Sequence, residues 1–129
     1  MGKFTFRKEE KLKSEKNIQE LFSKGSSFYL FPFKVIVLLN PNPAARVHQI
    51  LISVSKRNFK RAVDRNLIKR RFREAYRLQK EVLPTSPRLI LGFLYTHKEI
   101  LQGEEIAKKT LQALRKIPKL HAGNPTEPN

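Results

Sequence analysis

From Ala62 to Val82 the chain runs without a glycine or a proline, through a stretch rich in Arg, Lys, Leu, Glu and Ala. Such residues lose little on entering a helix, and Pro84 and Pro87 then end the run. A helix over 62–82 is about 30 Å long at the usual rise. On its wheel Asn66, Arg70, Arg73 and Arg77 form one stripe with Lys69 beside it, while Val63, Leu67, Ile68, Phe72 and Ala75 lie away from it. The chain must therefore supply other elements to cover one side of this helix and leave the other side open.

The segment Lys56 to Arg77 also concentrates the charge. Lys56, Arg57, Lys60, Arg61, Arg65, Lys69, Arg70, Arg71, Arg73 and Arg77 face only Asp64 and Glu74 among the acids. A solvated helix held by i,i+4 ion pairs would need more acids than this. Like charges at turn spacing destabilise the free protein, and a polyanion relieves that cost. Guanidinium groups present a planar fork that matches two phosphate oxygens and stay charged at physiological pH. The preceding Ser55-Lys56-Arg57-Asn58-Phe59-Lys60 loop adds cations and backbone amides where the helix dipole already favours an anion. The whole chain repeats the bias, with 27 Lys and Arg against 11 Asp and Glu in 129 residues, a net charge of +16. Nucleic acid is the expected partner.

Other classes are excluded or disfavoured. There is no cysteine, so neither a disulfide scaffold nor a thiolate metal site is available, which agrees with a reducing, cytoplasmic location. The first twenty residues are charged throughout and lack a secretory apolar stretch. The longest apolar run, Val35 to Leu39, is far short of the roughly 20 residues that cross a bilayer. A chain of this size buries roughly two-thirds of its unfolded surface, enough for one domain without staples.

Around the basic helix the pattern gives an α+β order of helix, three strands, helix, strand, helix. Residues 1–13 read as a basic arm that either packs on the domain or is disordered. Ser14 can cap a helix over 14–24 with Ile18, Leu21 and Phe22 on one face, stopped by Gly25 as a left-handed residue. Three β-branched and aromatic runs fill Ser26 to Ser55, broken at Pro32 and at Asn40-Pro41-Asn42-Pro43, and the second and third are expected to form an antiparallel hairpin. Lys34 and His48 interrupt apolar runs, as on a sheet with one partly open face. Leu89 to Tyr95 reads as a buried strand. Glu104 to Ile117 reads as a helix with Ile106, Ala107, Leu111 and Leu114 inward, and the domain over 14–117 is followed by a flexible tail over 118–129.

The helix residues Ala62, Val63, Arg65, Asn66, Lys69, Arg70, Arg73 and Glu74 spell A-V-x-R-N-x-x-K-R-x-x-R-E, which resembles the signature of the bacterial ribonuclease P protein component. Ser53 to Arg57 and the early I-x-x-L-F-x-x-G pattern (Ile18, Leu21, Phe22, Gly25) extend the resemblance over roughly residues 12–117. It implies one mixed four-stranded sheet with the basic helix in a left-handed crossover. It also implies a protein that binds a catalytic RNA and the 5′ leader of precursor tRNA and promotes 5′ maturation. On this reading the catalytic groups and the magnesium belong mainly to the RNA, and this chain has no catalytic residue or metal ligand and takes no small-molecule substrate. The RNA contacts implied are Arg65, Asn66, Lys69, Arg70, Arg73 and Arg77, with Lys56, Arg57, Lys60 and Arg61 at the loop. Leu67 takes the third place of the family's Arg-Asn-Arg, with Lys69 to Arg71 as compensating cations. The loop also lacks the glycine of many members.

The leader is expected in a cleft between the first helix and the sheet, at Phe22, Phe28 and Phe33, since an exposed ring can stack an unpaired base. Of Phe28, Tyr29, Phe31 and Phe33, one or two should face that cleft. His48, His97 and His121 stand apart from any ligand partner, and Glu9-Glu10 and Glu104-Glu105 suit a helix dipole or solvent. A protein-only nuclease would need carboxylates clustered for magnesium, which this sequence does not group. The alternative reading is a ribosomal or RNA-chaperone type binding protein with the same basic helix and no role in tRNA processing.

Overall fold

The structure is a computed structural model in which residues 8–122 are described. Its elements follow the expected order: α1 (Glu15–Lys24), β1 (Ser26–Leu30), β2 (Phe33–Leu39), β3 (Gln49–Val54), α2 (Ala62–Gln79), β4 (Leu89–Tyr95) and α3 (Gly103–Ala122). Three helices and one mixed four-stranded sheet make it an α+β fold. The Ser14 hydroxyl caps α1 by accepting from the Asn17 N–H at 3.2 Å. α2 ends at Gln79, and Lys80–Val82 tighten into a 3-10 turn.

The strand order is β1-β2-β4-β3, with β1 and β2 antiparallel, β2 and β4 antiparallel, and β3 and β4 parallel. The expected β2–β3 hairpin does not form, because β4 lies between them. Leu89 to Tyr95 is apolar on both faces and is buried at six of its seven residues. Only an inner position covers both faces of such a strand. The β2–β3 connection is accordingly a crossing loop.

Helices α2 and α3 cover one face of the sheet, over a core that includes Phe33, Phe72, Phe93 and Tyr95. The Phe33 ring meets the other three edge-on, with centroids 5.3 to 6.0 Å apart. On α3 the inward residues are Ile106, Thr110, Ala113, Leu114 and Ile117, whereas Ala107 and Leu111 are only half-buried. α3 also continues past Pro118 to Ala122, so the tail expected from residue 118 begins inside a helix. Residues 123–129 of that tail, residues 1–7 of the arm and the side chain of His121 lie outside the described residues.

Helix α1 covers the opposite face through Leu21, which is fully buried over Ile36 and Ile90. Gly92 lets it approach: a Cβ there would stand 2.9 Å from Leu21 Cδ2. Gly25 has φ −70° and ψ 152°, extended and not left-handed as expected. Its role is close approach, since a Cβ would meet the Leu21 carbonyl oxygen at 2.5 Å and Ile36 Cγ2 at 2.6 Å.

Three polar residues tie the periphery together. The arm folds as a short 3-10 turn (Lys8–Glu10) and then runs along β3, where the Leu12 N–H donates to the Ile50 carbonyl at 2.9 Å. Glu10 faces neither solvent nor a helix dipole. It is 3% exposed and accepts from Lys80 Nζ at 2.8 and 3.1 Å, a buried charge with the partner that burial demands. His48 precedes β3 and is buried, not on an open face: Nε2 donates to the Pro84 carbonyl at 2.7 Å and Nδ1 accepts from the Leu89 N–H at 3.0 Å. Burial lowers its pKa from 6.5, partly offset by the bond to Pro84.

Candidate nucleic-acid interface

Helix α2 divides as its pattern requires. Ile68, Phe72, Ala75 and Tyr76 are buried against the sheet and α3. Asn66 and Arg70 are exposed, and Lys69 and Arg73 are half-exposed. Among the described residues, none of these four donates to a carboxylate of the chain. Val63, placed inward by the wheel, is 58% exposed because the first turn of α2 projects beyond the core.

Four arginines and lysines of the loop before α2, Lys56, Arg57, Lys60 and Arg61, are exposed together at the helix N-terminus. The loop is shaped without a glycine. Ser55 Oγ accepts from the Arg57 N–H at 2.9 Å, and the Phe59 ring is buried beside Tyr95. Arg65 completes it by donating from Nη1 to the carbonyls of Phe59 and Lys60 at 2.8 and 2.9 Å. Arg65 is therefore spent in part on holding the loop that presents its neighbours.

Two more basic residues are engaged within the chain. Arg77 closes the stripe with a bidentate pair to Glu74, at 2.9 and 2.7 Å. Hydrogen bonding to Arg77 lowers the Glu74 pKa, and the same bond raises that of Arg77. Arg71, expected to compensate for Leu67, instead donates to the Leu101 carbonyl at 2.6 Å and faces the start of α3. The open stripe thus consists of Asn66, Lys69, Arg70 and Arg73.

The second surface is the sheet face that carries α1. Pairing across the sheet sets Tyr29, Lys34, Leu94 and Ser53 in one row, from β1 through β2 and β4 to β3. All four are exposed or half-exposed, beyond the rows that Leu21 covers. Phe22 on α1 is 51% exposed and has the open ring expected of it. Phe33 does not: it is fully buried on the other face, where it fills the ring cluster. Phe28 also belongs to the other face, packed on the α3 side with Lys116 Nζ 5.1 Å from its ring centroid. Of the four strand rings weighed, the one on this open face is Tyr29, 59% exposed, with Phe31 at the rim against His97 at 4.8 Å. Lys34 was the available signal, since a residue paired with a lysine inside an apolar strand must share its open face.

Among the described residues, no three His, Cys, Asp or Glu side chains come together as a metal site. The described residues therefore offer magnesium no clustered ligand set. No described helix is long and apolar enough to cross a membrane.

A profile of the family described as Ribonuclease P matches residues 6–118. The chain belongs to the ribonuclease P family. Its relatives include a ribonuclease P protein component of Porphyromonas gingivalis, 40% identical over 80 residues, which are 62% of this chain and 58% of that protein. The match thus spans less than two-thirds of that relative's length. A Petrotoga mobilis protein of the same description is 32% identical over 122 residues, 92% of this chain and 97% of the relative. Among solved structures, the RNase P protein of Staphylococcus aureus superposes with a TM-score of 0.69 at 25% identity, covering 85% of this chain and 95% of that one. The Thermotoga maritima RNase P protein gives 0.70 at 23% identity, over 83% and 96%, and supports the fold.

Proposed function

We propose that this chain is the protein subunit of the ribonuclease P ribonucleoprotein. It binds the catalytic RNA through the α2 stripe and its loop, and holds the 5′ leader of precursor tRNA in the cleft beside α1. Bond cleavage belongs to the RNA and to magnesium held mainly there, and the particle works in the cytoplasm. The observation that carries this reading is the stripe of Asn66, Lys69, Arg70 and Arg73 on a helix whose other side buries Ile68, Phe72, Ala75 and Tyr76. A folded polyanion relieves the repulsion that this row costs the free protein. Phe22 and Tyr29, on the sheet's other side, supply rings for unpaired leader bases.

The test is leader removal from precursor tRNA by the catalytic RNA at low magnesium, with and without the full-length chain. Acceleration by the chain, and no cleavage by the chain alone, is the expected result. No acceleration would refute the proposal. Arg70→Ala is expected to weaken RNA binding and to flatten its salt dependence by about one unit.

A further inference from the structure

The outer edge of β3 carries a basic pocket that the α2 stripe does not explain. It has a volume of about 150 Å³ and is lined by Lys11, Leu12, Lys13, Ile52, Phe72 and Arg73, among others, with no carboxylate in its lining. Its two walls come from parts of the chain far apart in sequence. Leu12 is buried with Leu21, Ile36 and Ile90 on the α1 side of the sheet. Side chains of an extended segment alternate, so Lys11 and Lys13 turn the other way, toward α2, where Arg73 projects. Ile50 directs its carbonyl outward to the arm. Ile52, two residues on, therefore also directs its N–H to this edge, a neutral donor at the pocket floor.

The arm is fastened just before these lysines and between them. The Leu12 N–H holds the Ile50 carbonyl, and the buried Glu10 carboxylate holds Lys80 at the far end of α2. A lysine pair anchored this way loses less freedom on meeting a ligand than lysines on a free tail.

We infer that Lys11, Lys13 and Arg73 form a seat for backbone phosphate of the RNA partner, which carries the α2 stripe round the β3 edge onto the arm. Glu10 acts here as a positioning residue, through the arm. The inference rests on the RNA-binding reading above and extends it to a segment outside the helix.

The experiment measures catalytic-RNA binding by the full chain between about 50 and 200 mM salt, for wild type, Arg70→Ala, the double variant Lys11→Gln/Lys13→Gln, and Glu10→Gln. The double variant leaves the Glu10–Lys80 clamp intact. Its salt slope should fall by about 1.5, with an affinity loss on the order of 30-fold at about 0.1 M salt. Glu10→Gln adds a net positive charge, so net charge alone predicts tighter binding, whereas loss of the arm predicts weaker binding. If Arg70→Ala loosens the complex but the double variant keeps wild-type slope and affinity, the phosphate seat is wrong and the RNA-binding reading survives. If Arg70→Ala is silent as well, both fall. Should Glu10→Gln fail to fold, the double variant alone decides.

Discussion

Replacing Gly25 by alanine tests how α1 is set on the sheet. At φ −70° and ψ 152° the backbone accepts any residue, so conformational strain predicts no penalty. Space predicts a large one. The new Cβ would lie 2.5 Å from the Leu21 carbonyl oxygen and 2.6 Å from Ile36 Cγ2, where ordinary contact begins near 3.4 Å. A shift of about 0.9 Å is needed against a backbone atom and a packed core residue at once, and the Gly25 N–H bond to Leu21, 2.9 Å long, lies in its path. Overpacking of this kind costs about 1–3 kcal/mol and a strained hydrogen bond about 1 more, while the stiffer unfolded chain returns about 0.4–1 kcal/mol. The net loss is about 2 kcal/mol, or roughly 8 °C in Tm for a domain of this size. Chemical denaturation and melting of the purified variant measure it. Gly103→Ala is the control, since no atom of the described residues lies within 4 Å of a Cβ there, and it should be neutral or slightly stabilising. A Gly25→Ala protein as stable as wild type would refute the close-packing argument.

His48 is held neutral in the fold, its pKa lowered by burial. The unfolded chain therefore binds the extra proton first, and the stability His48 provides is full above about pH 6.5 and lost as pH falls below it. The stability gap between wild type and His48→Asn should narrow from pH 7 to pH 5. Thr110 is fully buried with a hydroxyl that has no hydrogen-bond partner among the described residues, so Thr110→Val should raise stability by about 1 kcal/mol in denaturant titration. Tyr29→Ala should weaken leader binding by about 1–3 kcal/mol, with the fold intact by circular dichroism, whereas Phe33→Ala should cost about 3–5 kcal/mol of stability. Arg77→Ala should flatten the salt dependence of RNA binding less than Arg70→Ala, because Glu74 already holds its guanidinium.

Element order and the packed side of α2 were legible because periodicity and breakers are local. Strand partnership was not. The β2–β3 hairpin looked natural from adjacency, yet β4, fifty residues downstream in the order of the chain, is more apolar and claims the inner place. The same gap misplaced Phe33: alternation separates two faces but does not say which one α1 covers. Among the cations, the wheel gave the direction of Arg65 and Arg71 without the carbonyls of Phe59, Lys60 and Leu101 that capture them. The row of Tyr29 and Lys34 could have been read by folding β1 back on β2 at Pro32.

The inner place of β4 also governs the order in which the molecule can be built. Until Tyr95 has left the ribosome, β3 has no strand to join, and the hairpin of β1 and β2 lacks the neighbour that joins it to the rest of the sheet. The cationic helix is synthesised earlier, with Ile68, Phe72 and Tyr76 still lacking β4 and α3, part of the wall they will rest on. Its burial therefore depends on contacts distant along the chain, which form slowly. A nascent fragment ending before residue 89 would emerge as a charged, half-apolar rod without a roof.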